Sequence, residues 1–190
     1  MDAHEISGFI SQLLWINLGT LTSFLLLIGI FSNSDRSFHE RMKVETLVLN
    51  KQYEAALSNI KRMRNVDSAT TMLTIYCVAR TGHLPDSLYE YRLIGGKDVL
   101  YPGKVHSVFL PDSVIKKATS SSVHYQLNEY LLDRNLPTFK KLVQKYYPVD
   151  SLRPRYYAEA YKLYTLLSKG MKPKPPYPKG SYTSYYFSVR

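Results

Sequence analysis

The sequence predicts an all-α protein: a single N-terminal transmembrane helix, then paired antiparallel helices, an irregular insert and an extended C-terminal tail. Three observations carry this. Residues 9–31, FISQLLWINLGTLTSFLLLIGIF, run 23 in a row without a charge. Beyond them, apolar residues recur at spacings of three and four, the helical period. Three turn-like segments also align with one another without gaps. Residues 1–34 then hold the apolar helix, residues 35–170 a helical domain with its insert at about 92–122, and residues 171–190 the tail.

A secretory signal combines a basic leader with an apolar stretch of roughly 7–15 residues. Here the stretch is longer. MDAHEISG before it carries Asp2 and Glu5 and no base, and FSNSD after it offers no small-residue cleavage pattern. About 20 helical residues cross the ~30 Å of bilayer hydrocarbon, so the run reads as a retained span in contact with membrane lipid. Its polar members lie mostly in the first half. Ser and Thr can bond back to their own helix, whereas the amides of Gln12 and Asn17 are costlier in lipid. Trp15, Gly19 and Ser23 follow at steps of four and share one face, and small residues on a face let another helix approach closely. Gln12, Trp15, Asn17, Gly19 and Ser23 are therefore the expected packing surface for a partner span. Only acids precede the run, while Arg36, Arg41, Lys43 and Lys51 follow it. The positive-inside rule then favours the cytoplasmic over the periplasmic side for the rest of the chain.

Ser37 and Glu40 fit a capping box that opens a helix running to about Leu49. Tyr53, Ala56, Leu57 and Ile60 mark a second helix at i, i+3, i+4 and i+7. Asp67 or Ser68 caps a third, with Ala69, Met72, Leu73 and Tyr76 inward and Gly82 closing it. His83 to Tyr91 forms a shorter partner. The segments LNKQYEAAL, RTGHLPDSL and LDRNLPTFK, starting at Leu49, Arg80 and Leu132, place Tyr53, Leu84 and Leu136 in the same column. The first offset is 31 residues, close to the ~34 of tetratricopeptide repeats. The second is 52, lengthened by the insert with Gly95, Gly96, Pro102, Gly103 and Pro111. The expected architecture is a tetratricopeptide-like stack, with an irregular helical bundle as the alternative. Val123, Leu127, Tyr130 and Leu131 mark one further helix, and Phe139, Leu142, Val143 and Tyr146 another. From Pro154 a last helix carries Tyr157, Ala160, Tyr161, Tyr164 and Leu167 on one face and closes at Gly170. Four prolines within residues 171–180 preclude a regular helix there. Tyr182, Tyr185, Tyr186 and Phe187 are expected to pack back on the helices or on a partner.

The search for chemistry is short. No Gly-rich phosphate loop, H-E-x-x-H or G-x-S-x-G occurs. The five histidines, His4, His39, His83, His106 and His124, show no metal-ligand spacing. The single Cys77 excludes an intrachain disulfide and a Cys-only zinc site; beside an apolar face it reads as an inert small hydrophobe. His83 and His124 read as surface histidines, and Asp133 and Asp150 as turn and cap residues. The expected protein is not an enzyme and has no catalytic, cofactor or metal residues. Charge is more informative. After the apolar run come 25 basic and 13 acidic residues, an excess of +12. Lys61, Arg62 and Arg64 cluster at one helix end, and Lys140, Lys141 and Lys145 on the outer face of another. Lys169, Lys172, Lys174 and Lys179 crowd the approach to the tail. A solvated surface is the plain reading of these groups. Contact with anionic lipid or nucleic acid is the functional alternative, and the lack of a recognised nucleic-acid motif disfavours the second.

Four segments carry a resemblance: HERMKVETLVLNKQYEAAL, ARTGHLPDSLYEYRLIGGKDVLYPG, YLLDRNLPTFKKLVQKYYPVDSLRPRYYAEAYKLYTLL and SYTSYYFSVR. In this order, across roughly residues 35–190, they resemble the C-terminal half of a family of integral membrane proteins of Bacteroidota-type bacteria that carry a domain of unknown function. The resemblance implies a bacterial inner-membrane protein with a helical, tetratricopeptide-like soluble half. It brings no catalytic residues. Members of that family carry many spans before the helical half, whereas this sequence shows one. The expectation is a single-pass, membrane-anchored interaction or scaffold module whose partner is a protein, another membrane protein foremost.

Overall fold

The structure is a computed structural model and describes residues 3–31, 36–101, 103–119, 122–148 and 152–188. The chain divides into two compact units, residues 1–36 and 37–190. Every regular element is helical, and the described residues contain no β-strand.

The first unit is one helix, α1 (Ala3–Phe31). From Gln12 to Ile30 it is apolar and long enough to cross a membrane, and none of that stretch is buried within the protein. Its hydroxyls follow the expectation for a helix in an apolar medium. Thr20, Thr22 and Ser23 donate to the carbonyls of Ile16, Leu18 and Gly19 at 2.8, 2.8 and 2.9 Å, so these polar groups are satisfied without a neighbour.

The second unit begins with α2 (Arg36–Leu49), α3 (Tyr53–Arg62), α4 (Ser68–Arg80) and the short α5 (Leu84–Ser87), which runs on into a 3-10 turn at Leu88–Glu90. A second 3-10 turn (Gly96–Leu100) and α6 (Asp112–Thr119) lie in the insert, before α7 (Val123–Leu132), α8 (Leu136–Tyr146), α9 (Arg155–Ser168) and α10 (Tyr182–Phe187). Because α2 starts at Arg36, Ser37 lies inside the helix and does not serve as the cap of the expected capping box.

The three aligned segments share one backbone device. Lys51, Gly82 and Arg134 occupy the same column, and all three have positive φ, at 59°, 80° and 60°. In each, the amide of the next residue bonds back five positions: Gln52 to Leu47, His83 to Val78 and Asn135 to Tyr130. The amides of Lys51, Gly82 and Arg134 bond to Val48, Ala79 and Leu131. This is the Schellman closure, which satisfies carbonyls that a helix end leaves unpaired. The following residue, Gln52, His83 or Asn135, is already the N-cap of the next helix. Sequential helices then pack as neighbours: α4 with α5, α7 with α8, α8 with α9.

The core sits around α4, on which every residue from Ala69 to Val78 is buried. The expected inner face is thus only part of it. Three buried threonines are tolerated because their hydroxyls bond locally: Thr70 to the Asp67 carboxylate, Thr71 to the Asp67 carbonyl and Thr74 to the Thr70 carbonyl. Asp67 caps the helix, its Oδ1 accepting the Thr70 N–H at 2.7 Å. The insert is less open than its glycines and prolines suggest. Its 3-10 turn packs against α4 and α7, burying Val99 and Leu100.

The tail departs from the extended form expected of it. No helix forms from Gly170 to Ser181, as the prolines require, but α10 follows. Ser181 accepts the Ser184 N–H at 3.0 Å. The Glu159 carboxylate, from α9, accepts the N–H groups of Tyr182 and Thr183 at 3.1 and 2.9 Å. This long-range capping holds a single helical turn that would not persist alone. Tyr182 is fully buried. Its ring, with those of Tyr156 and Tyr185, surrounds Tyr89 at centroid distances of 4.9–5.1 Å. The aromatic end therefore packs back on the helices.

Two tests follow from these turns and caps. A Cβ at Gly82 would meet nothing within 4 Å, so Gly82→Ala carries only the backbone cost of the left-handed conformation, about 1–2 kcal/mol. Lys51→Gly relieves that cost and is expected to stabilise the chain by about 0.5–1 kcal/mol; urea titrations of the full chain in detergent measure both. Burial acts to raise the Asp67 carboxyl, but the hydrogen bonds from Thr70 and Arg41 outweigh it and hold the group below its ordinary value. A depressed folded value means stabilisation that is complete above about pH 4 and fades as the pH falls through the folded value. Asp67→Ala should thus cost about 1 kcal/mol at neutral pH, and its difference from the parent chain should shrink in thermal melts at acid pH.

Candidate interaction surface

The residues expected to pack against another span all lie on α1. Trp15 is 70% exposed, and a Cβ at Gly19 would meet nothing within 4 Å. A helix advances about 100° per residue, so Gln12, Trp15, Gly19 and Ser23 fall along one stripe. Asn17, five residues beyond Gln12, points to a different side of the same helix and does not join that stripe.

The basic clusters separate into two kinds. Lys61 lies 3.6 Å from the Glu90 carboxylate and 4.9 Å above the Tyr91 ring. Arg62 and Arg64 are exposed, and the Arg64 carbonyl accepts from Arg92 at 3.0 Å. Glu90 also holds Arg155 at 3.1 Å, so this corner is partly neutralised. The α8 lysines differ. Lys140 sits 5.0 Å over the Tyr164 ring of α9, and Lys145 lies 5.6 Å from the Tyr146 ring. Arg153 stacks on the Tyr161 ring at 4.2 Å, and Gln144 reaches the Tyr161 hydroxyl at 3.4 Å. Lys141 and Lys162 are exposed on the same two helices. Among the described residues, none of Lys140, Lys141, Lys145, Arg153 or Lys162 forms an ion pair. The ion pairs of Arg41, Lys61, Lys97, Lys104, His106 and Arg155 draw on acids between Asp67 and Asp133.

The chain itself explains the difference. Residues 1–133 hold 13 basic and 13 acidic residues, whereas residues 134–190 hold 12 basic and two acidic, Asp150 and Glu159. The whole net charge of +10 thus resides in the last 57 positions. Counting charge along the chain, rather than by cluster, would have found this. Asp150 lies outside the described residues, and both Glu159 oxygens are engaged by the start of α10. The α8–α9 region is consequently strongly cationic, and its one described acid, Glu159, is bonded to the start of α10.

The polar groups in the interior are only partly satisfied: Glu45 Oε1 and Asn128 Oδ1 are buried without a hydrogen-bond partner. Glu45 is fully buried on α2; its Oε2 accepts the Ser107 hydroxyl at 2.6 Å and the Phe109 N–H at 2.8 Å. Sequence reasoning passed over this residue, because a lone acid between Val44 and Val48 carries no signal of its distant partners. His124 corrects the surface reading. It is half-buried, stacked on Tyr157, with Nδ1 3.0 Å from the Tyr157 hydroxyl. Asn128, fully buried, donates to that hydroxyl at 3.2 Å. The Tyr157 hydroxyl therefore accepts from Asn128 and shares a hydrogen bond with His124. Burial pushes the Tyr157 hydroxyl up and the His124 imidazole down, which keeps both groups neutral.

A cleft of about 410 Å³ is lined by Gly95, Gly96, Lys97, Asp133, Arg134 and Tyr185 among others. Its charges are committed: Lys97 pairs with Asp133 at 3.1 Å, and Arg134 donates to the carbonyls of Tyr185 and Ser188 at 3.1 and 2.9 Å. Asp133 thus pairs across the cleft besides ending α7. Another cleft, of about 360 Å³, contains the Tyr101–Glu129 hydrogen bond. Among the described residues no three His, Cys, Asp or Glu side chains gather closely enough to hold a metal ion. Compared with protein-family models, curated proteins and solved structures, the chain finds no match.

Cys77 is fully buried, and burial pushes its thiol up to about 12. It is expected to resist maleimide in the folded chain at neutral pH and to react fully after denaturation; labelling followed by mass spectrometry reads this directly.

Proposed function

We propose that this protein is a membrane-anchored, non-enzymatic interaction module, a subunit of a larger bacterial membrane complex. The observation that carries this is α1: a continuous helix, apolar from Gln12 to Ile30 and long enough to cross a membrane. Leaving that surface in water is costly, at roughly 25 cal/mol for each Å² of apolar area, so lipid or another span must cover it. The stripe of Gln12, Trp15, Gly19 and Ser23 gives a second helix a place of close approach, and the Gln12 amide would gain a hydrogen-bond partner there. Asn17, on another side of the helix, would suit a second contact. The helical unit, with its short repeated connections, presents a rigid surface to a protein. The resemblance to the multi-span Bacteroidota family points the same way, with the helical unit on the cytoplasmic side.

Extraction and crosslinking test the proposal together. The chain is expected to remain with membranes through an alkaline carbonate wash and to copurify in mild detergent with at least one membrane protein. Gly19→Leu, which fills the stripe, should abolish that association while leaving the chain in the membrane. Release by carbonate would remove the anchor, and recovery of a lone monomer from native membranes would remove the module.

A further inference from the structure

The α8–α9 face has a property that the other basic clusters lack. Its cations are held in place without being neutralised. Lys140 over Tyr164 and Lys145 over Tyr146 are positioned by aromatic rings, and a ring orients a cation while leaving its charge intact. Such a surface is ordered before it meets an anion, so little further side-chain entropy is lost on contact.

From this we infer that the α8–α9 face, with Lys140, Lys141, Lys145 and Lys162, docks on the anionic phospholipid headgroups of the membrane that holds α1. The inference rests on reading α1 as an anchor. Two observations select lipid over nucleic acid. Single strands bind through open aromatic faces on which bases stack. Here Tyr161 and Tyr164 are half-buried, and cations lie over their rings. Tyrosines with a buried ring and a polar tip are instead the side chains that suit a bilayer interface. Lipid is also favoured over an acidic protein, because an anchored chain meets its own leaflet at high effective concentration. The exposed Lys169, Lys172 and Lys174, which follow α9 directly, extend the cationic surface.

The test uses the full chain reconstituted with vesicles of neutral phosphatidylcholine, or with about 30 mol% phosphatidylglycerol added to make an anionic surface. An environment-sensitive fluorophore is placed at Gln144→Cys, with Ser58→Cys on α3 as the reference; the buried Cys77 stays unlabelled. The α8 probe is expected to shift to the blue and to be quenched by spin-labelled lipid in anionic vesicles only. The shift should reverse at about 1 M salt, where screening acts within ~3 Å. The reference probe should remain in water throughout. Replacing Lys140, Lys141, Lys145 and Lys162 together by Gln should lower the docked fraction more than tenfold, since each charge near such a surface is worth about fivefold. Unchanged thermal melts of that variant will show that its fold is intact.

Equal probe signals on neutral and anionic vesicles, or an unaffected quadruple variant, would overturn the docking. So would a probe that answers to an oligonucleotide or to polyglutamate but not to vesicles. Flotation separates the two readings. A chain that floats with neutral vesicles but keeps its α8 probe in water loses only the docking. One that floats with anionic vesicles alone, reversibly with salt, keeps the docking and loses the anchor. A chain that floats with neither loses both.

Discussion

A left-handed backbone at one residue governs how the helical unit turns. At Lys51, Gly82 and Arg134 the chain reverses within two residues, so the next helix starts where the previous one ends. An L-residue in this conformation is strained by roughly 1–2 kcal/mol, and glycine avoids the strain. Only one of the three positions is glycine. At Lys51 and Arg134 the hydrogen bonds of the closure outweigh the strain. Arg134 adds another contribution, because its guanidinium lies 5.3 Å from the Tyr185 ring and bonds to the carbonyls of the tail.

The tail depends on that turn and completes it. A helix leaves its last carbonyls unpaired. Those of Leu131 and Leu132, at the end of α7, accept the hydroxyls of Tyr182 and Tyr185 at 3.2 and 2.9 Å. In return α7 and α9 supply α10 with a floor and with Glu159. The Tyr156 hydroxyl also donates to the Gly180 carbonyl at 2.9 Å. A segment too proline-rich to fold by itself is thus fixed by tyrosines that are apolar in the ring and polar at the tip.

Charge follows the same division. The part of the helical unit before Arg134 holds 12 basic and 10 acidic residues, and several of them pair with one another. The half after it spends its one described acid on capping α10 and leaves its lysines facing solvent. An anionic partner would recover the electrostatic energy that the fold leaves unused.

Much of this was legible in the sequence. The charge-free run of 23 residues fixed α1, since no other element is so long and so apolar. The spacing of Tyr53, Ala56, Leu57 and Ile60 fixed α3, and the alignment of three turns marked the residues that share a left-handed conformation. These are local effects, set by periodicity and by hydrogen bonds a few residues apart. What tertiary structure decided is all long-range. Glu45 acquires its partners 62 and 64 residues away. His124 leaves the surface because Tyr157, 33 residues on, covers it. The tail becomes helical because Glu159, from α9, accepts the Tyr182 and Thr183 N–H groups alongside the Ser181 cap. Local pattern shows where helices start and stop; only packing shows which polar groups they satisfy and which charges they leave free.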